Sequence, residues 1–207
     1  MNILEDIKLY LPKYLSSESE KTLFEELSSF PENIDSRLYT SSLNNVDIVF
    51  QGDGFQGLLF INFPDTKIGN VPAMILSNTC DINPQNQRIF QPNIVYSPIF
   101  NLEKYRNGLL EEGFDQQRIE DHMASLKRQE NTSIFYLPRG GSLEADSLVF
   151  FDRINSCPID YLDQRENGKQ KLFILSGYGH YLFLFKLSIH FTRVREGVDR
   201  DKGIFKQ

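Results

Sequence analysis

Pro72-Ala73-Met74-Ile75-Leu76-Ser77-Asn78-Thr79-Cys80-Asp81 is an apolar run that ends abruptly in small polar residues and a cysteine. A short apolar run bounded by turn residues reads as a buried strand. Ser, Asn, Thr, Cys and Asp at its end set hydrogen-bonding groups where a scaffold can present them. The same letters also build a tight polar turn, because Asn and Asp side chains bond their own backbone two residues on. Asn78, Thr79, Cys80 and Asp81 are therefore candidate binding residues, with a plain turn as the competing reading.

The strand rhythm extends to both sides. Val46-Asp47-Ile48-Val49-Phe50, Gly57-Leu58-Leu59-Phe60-Ile61 and Asn93-Ile94-Val95-Tyr96 are short runs rich in branched and aromatic residues. Gly52-Asp53-Gly54 and Pro64-Asp65-Thr66-Lys67 punctuate them as turns. Ser133-Ile134-Phe135-Tyr136-Leu137 and Ser147-Leu148-Val149-Phe150-Phe151 resume the pattern around a turn at Pro138-Arg139-Gly140-Gly141. A small antiparallel barrel or sandwich is expected. Between the two groups, Leu102, Tyr105, Leu109, Leu110, Ile119, Met123 and Leu126 recur at helical intervals, which predicts a helical insertion over 101–130.

Helices flank this core. Ile3, Leu4, Ile7 and Leu11 share a face up to Pro12, and Ser17 with Glu20 has the spacing of a capping box ahead of Leu23, Phe24 and Leu27. Pro31 ends that segment. Lys171-Leu172-Phe173-Ile174-Leu175 reads as a strand. Residues 181–195 read as a helix burying Leu184, Leu187, Ile189 and Phe191, with Lys186 and Arg193 emerging. The expected fold class is α+β, with a helical segment at 1–40, a barrel with its insertion at 41–165, and a strand and helix at 166–207.

Composition narrows the function classes. A formal charge of −6 disfavours a protein that coats nucleic acid by bulk electrostatics, although basic residues gather late, around Arg193, Arg195, Arg200 and Lys202. Cys80 and Cys157 stand far apart and form no CxxC pair, which points to a reducing compartment. The first residues lack a signal-peptide pattern, and the most apolar segment, Tyr181-Leu182-Phe183-Leu184-Phe185, stops at Lys186, short of the roughly 20 residues of a membrane span. A cytoplasmic protein without membrane contact is expected.

The order of motifs resembles the PemK/MazF-like family of small SH3-like barrels, toxin ribonucleases of bacterial toxin–antitoxin pairs. Residues 57–61 and Pro72 to Asn78 occupy the places of the family's first two core strands. Val95-Tyr96-Ser97-Pro98-Ile99-Phe100 takes the third, and Val149-Phe150-Phe151-Asp152-Arg153-Ile154 the fourth. The resemblance spans about residues 45–165 by inspection. The family's arginine before the proline is Val71 here, its threonine after the Pro-Ile step is Phe100, and its basic residue two before the aspartate is Phe150. Asp152 alone keeps its place. The resemblance implies a toxin–antitoxin or anti-phage protein that binds single-stranded RNA and acts as a metal-independent endoribonuclease. Its partners would be RNA, an antitoxin or defence-complex protein, or a second copy of the chain.

Cleavage without metal needs a group to take the 2′-OH proton and a cation to stabilise the charged phosphorane. Asp152 is the candidate acid–base or orienting group, Arg139 and Arg153 the candidate cations with Arg128 nearby, and Asn78 to Asp81 the groove lining. The competing function is a non-catalytic barrel that docks on a partner protein.

Three further signals have bland readings beside them. Cys80 lies next to Asp81, and a carboxylate opposes thiolate formation, so an inert thiol competes with a nucleophile. Arg139-Gly140-Gly141-Ser142 is an anion nest or simply a hairpin loop. His122, His180 and His190 show no ligand spacing, so neither a metal nor another cofactor is expected.

Overall fold

In the computed structural model, residues 21, 22, 25, 29–46, 48–83, 85, 86, 88–163 and 170–192 are described. The Ser17–Glu20 capping box and the basic residues Arg193, Arg195, Arg200 and Lys202 lie outside them. Helix α1 spans Ile34–Arg37 and is followed by strands β1 (Gly54–Ile61), β2 (Ile68–Ile75) and β3 (Asn93–Asn101). The helical pair α2 (Leu102–Glu111) and α3 (Gln116–Lys127) comes next, at the place the helical spacing predicts. Strands β4 (Ile134–Leu137), β5 (Ser147–Phe150) and β6 (Asn155–Pro158), helix α4 (Asp160–Asp163), strand β7 (Lys171–Phe173) and helix α5 (Gly177–Thr192) complete the order.

The chain is α+β, with one seven-stranded antiparallel sheet ordered β4-β5-β3-β2-β1-β7 and with β6 also paired to β3. The ladder does not close on itself, since β4 and β7 are its ends.

Strand β3 organises the sheet. One side of it pairs with β2, and the other pairs first with β6 and then with β5. Tyr96 faces Asn155 while Ile99 faces Val149, so three steps along β3 span six on the opposing chain. The surplus residues leave the ladder as a bulge, the device by which a strand bends and re-aims its side chains.

Two apolar clusters lie around this sheet. The smaller one, Phe55, Leu58, Ala73, Ile75, Ile82, Ile94, Tyr96, Cys157 and Leu162, sits among β1, β2, β3 and β6. Two hydrogen bonds draw the free sides of those strands together, from Ile61 N–H to Asn155 Oδ1 (3.0 Å) and from the Tyr96 hydroxyl to Leu59 O (2.7 Å). The larger cluster joins β4, β5 and the helices, with Phe135, Phe151 and Phe183 fully buried and in mutual ring contact.

Three local expectations are corrected. Val46 and Ile48 to Phe50 join no ladder. Side chains rather than a neighbouring strand hold that backbone, as Phe50 N–H donates to Asp53 Oδ2 (3.0 Å) and Lys171 Nζ donates to Ile48 O (2.9 Å). The C-terminal helix starts at Gly177, four residues before the expected 181, and Gly179 in its first turn lets it approach α1 so closely that a Cβ would stand 2.2 Å from Leu38 O. On α5 itself Lys186 is buried and Phe191 is 57% exposed, the reverse of the expected order. The helix is apolar on nearly every side, so the sequence offers no polar stripe to mark its outer face.

Candidate functional site

The bulge after β5 is shaped by Ser97. This fully buried hydroxyl donates to Phe150 O (2.6 Å) and lies 3.3 Å from Arg153 O, and Arg153 N–H closes the turn onto Phe150 O (3.1 Å). The turn's backbone thereby points inward and the Asp152 and Arg153 side chains point to solvent, both exposed.

Arg153 does not hang free. Its guanidinium carbon lies 4.6 Å from the Phe150 ring centre and 5.1 Å from that of Phe100, cation–π distances that hold a planar cation in one orientation. Phe100 and Phe150 meet edge to face at 5.2 Å, and Phe60 flanks Phe100 at 6.3 Å. The three rings and the guanidinium form one aromatic and cationic platform.

The helical insertion supplies its wall. Asn101 ends β3 and caps α2, its side chain accepting from Lys104 N (2.9 Å), and this junction sets Tyr105 one turn in, with its ring 5.6 Å from that of Phe150. Asp115 caps α3 in the same way, accepting from Arg118 N (3.1 Å), and the helix returns to place His122 Nε2 3.1 Å from the Tyr105 hydroxyl. Burial lowers the His122 pKa and favours the neutral imidazole, which receives the phenol's hydrogen bond at Nε2 when Nδ1 carries the ring proton. Burial raises the Tyr105 pKa, with Arg153 pulling against it and Glu112 adding to it. A cation and a phenol thus meet on the Phe150 ring, and the imidazole stands behind the phenol.

The Asn78–Asp81 segment behaves as a turn. Asn78 Oδ1 accepts from Cys80 N–H (2.9 Å), Thr79 Oγ1 accepts from Gln51 N–H (2.9 Å), and Asp81 pairs with Arg88 (2.8 Å). Cys80 is exposed. The segment leaves β2 beside Val95, whereas the bulge lies across β3 on its other side. Arg139 is also apart. It sits past the Leu137–Ser147 end of the β4–β5 ladder and Arg153 past the Ile134–Phe150 end, about 10 Å of strand away. Its exposed hairpin is pinned by its own N–H donating to Asp146 Oδ1 (3.1 Å). Of the predicted residues, the structure brings Asp152 and Arg153 together and leaves Arg139 and the 78–81 turn elsewhere.

Sequence reasoning missed Tyr105 and His122 as a pair. Tyr105 stood among the core-facing positions of the insertion, and only the turn between the two helices decides which residue of α3 it meets.

A second polar centre lies under the 78–81 turn. The fully buried Asp53 accepts from Phe50 N–H and Lys171 Nζ (both 3.0 Å) through Oδ2, while Oδ1 has no partner. Burial raises its pKa, opposed by those two donors. Gln51 extends the web, donating from Nε2 to Leu76 O (2.7 Å) and accepting at its carbonyl from His180 Nδ1 (3.1 Å). These contacts fasten the turn and residues 48–54 to β7 and α5. A cavity of about 500 Å³ runs along β7 between Tyr39, Thr40, Asn44 and Ser142; of the sequence-predicted site segments, only the Gly141-Ser142 end of the 139–142 hairpin lines it.

No group of three or more His, Cys, Asp or Glu among the described residues is placed to hold a metal ion, and no helix among them is long and apolar enough to cross a membrane. No protein-family model matches the chain, and no curated protein matches it either.

Proposed function

We propose that this protein is a MazF-like barrel of a toxin–antitoxin or anti-phage system that binds single-stranded RNA at the Arg153 platform. The observation that carries the proposal is the guanidinium of Arg153 held over Phe100 and Phe150 on an exposed bulge. Bases stack on aromatic faces whatever their sequence, and a fixed guanidinium meets the adjoining phosphate, which together make a single-strand binding surface.

The resemblance gains support from the same residues. Two of the three family positions that lack their polar residues here, Phe100 and Phe150, are the rings beneath Arg153, and the third is Val71. On this reading Arg153, one residue beyond Asp152, stands in for one of the two missing cations. The barrel part of the reading rests on the small cluster enclosed by β1, β2, β3 and β6, and on the hydrogen bonds of Ile61 and Tyr96 that draw those strands round it.

The test is fluorescence anisotropy with a labelled single-stranded RNA of mixed sequence at low salt. Saturable binding that Arg153→Ala weakens about tenfold, on the order of 1.4 kcal/mol, is expected. Binding unaffected by that substitution counts against the platform.

A second reading, a module that docks on a protein of a defence complex, is favoured by exposed apolar side chains other than those of the Arg153 platform. Phe63, Ile68, Ile89 and Phe90 are 63% or more exposed, an apolar set of the kind that marks protein contacts. Co-purification of a neighbouring gene product that is lost on Phe63→Ser with Phe90→Ser would support it.

A further inference from the structure

We infer that Tyr105 and His122 form a proton relay that lets the platform cleave the RNA it binds, Tyr105 being the catalytic residue and His122 the proton acceptor behind it. The inference rests on the RNA-binding reading of the Arg153 platform.

The geometry is directional. The Tyr105 hydroxyl stands 3.1 Å from His122 Nε2, its ring packs on Phe150, and Arg153 packs on the same ring from the bulge. A phosphate bound by the guanidinium is therefore brought beside the phenol. Tyr105 and His122 are both half-buried, so part of each side chain remains open to solvent. An ordinary structural hydrogen bond would lock α2 to α3 equally well. Those helices are already clamped by Arg106 and Glu120 (2.5 Å), and Leu102, Ile119, Met123 and Leu126 bury their shared face.

The reaction balances without metal or other co-reactant. The ribose 2′-OH gives its proton to the Tyr105 oxygen as the phenol's own proton passes to His122 Nε2. The 2′-oxygen bonds to phosphorus and the bond from phosphorus to the 5′-oxygen breaks. The departing 5′-oxide takes a proton from water, and His122⁺ returns its proton to solvent. The products are a 2′,3′-cyclic phosphate and a 5′-hydroxyl. Arg153 stabilises the charge on the phosphoryl oxygens, where a fixed donor acts most strongly. The substrate class is therefore RNA with a free 2′-OH, and DNA of the same sequence is bound but left intact.

The experiment compares wild type, Tyr105→Phe and His122→Gln on end-labelled single-stranded RNA and on the matching DNA, without divalent metal, with affinity and melting temperature measured for each. Glutamine can accept the phenol's hydrogen bond but not carry away a proton, so it rescues a structural role and not a relay. Wild type is expected to cleave RNA to cyclic-phosphate ends and to spare DNA. Both variants are expected to keep their affinity within about twofold and to lose cleavage by about a hundredfold or more, the usual contribution of a general base. Cleavage by either folded variant at the wild-type rate overturns the relay, as does wild type that binds RNA without cutting it, and in both cases the platform stands. Absence of RNA binding by wild type removes the platform reading itself.

Discussion

Lys186 and Arg153 are both cations laid against phenylalanine rings, and they have opposite fates. Lys186 is buried between α5, the end of α3 and β4, where Nζ donates to Gln129 Oε1 (2.7 Å) and to Ile134 O, 5.8 Å from the Phe135 ring centre. Gln129, at φ 58°, also binds both backbone groups of Tyr136. Arg153 lies over two rings at the surface, and among the described residues no acceptor bonds its guanidinium. An aromatic face under a cation is therefore not what marks a site. What differs is whether the donors are still available to something outside the protein.

Of the two cations, Lys186 is the one whose charge changes near neutral pH. Burial pushes the Lys186 pKa down from 10.5 to about 7. Between pH 7 and about 9 the unfolded amine keeps its proton while the folded one has lost it, so the unfolded state binds more protons and stability rises with pH. Below pH 7 both are protonated and this contribution is flat. The slope approaches about 1.4 kcal/mol per pH unit, readable from urea unfolding at pH 6, 7, 8 and 9. Lys186→Met is expected to abolish the rise. A profile identical to wild type would mean that the lysine keeps its charge in the fold, and the contrast with Arg153 would narrow to accessibility alone.

Ser97→Ala tests whether the bulge must be held for Arg153 to be presented. The substitution removes the buried hydroxyl that donates to Phe150 O and lies against Arg153 O, a loss of about 1–3 kcal/mol in unfolding free energy. RNA affinity is expected to fall with it, since the guanidinium loses its fixed seat. Full affinity in a destabilised Ser97→Ala protein would show that presentation does not depend on the bulge. Arg153→Lys is the milder change on the same contrast. A point charge without a planar face should restore part of the affinity lost in Arg153→Ala, while both variants melt within about 0.5 kcal/mol of wild type.

How much of this was legible follows from the range of the interactions. Strand β2, the helical insertion and α5 were readable because each is a local period in the sequence. The absence of a strand at Val46 and at Ile48 to Phe50 was not, since Val, Ile and Phe there match the pattern and only the distant Lys171 and nearby Asp53 decide where the backbone's hydrogen bonds go. Asp152 and Arg153 were found by motif order. Their neighbours Tyr105 and His122 were hidden because α2 and α3 fold back on one another, and a meeting across seventeen residues leaves no periodic trace. Lys186 was misplaced for a related reason: a charge on an apolar helix reads as the outer face until Gln129 and the Ile134 carbonyl are seen to receive it.

The smallest effect separates the bulge from the other sequence-predicted loop. In the 78–81 turn, the side chains of Asn78 and Thr79 and the backbone of Cys80 are joined to the protein's own groups, Cys80 N–H to Asn78 Oδ1 and its carbonyl to Asn86. The Cys80 side chain is exposed and takes no part in holding the turn. Cys80→Ser should therefore shift stability by no more than about 0.5 kcal/mol and leave RNA affinity unchanged. Thr79→Val, by contrast, strands the Gln51 N–H and should cost more. If instead Cys80→Ser removed RNA binding at unchanged melting temperature, the turn would be a ligand site after all, and Arg153 would rank with Lys186 as a cation whose contacts serve only the fold.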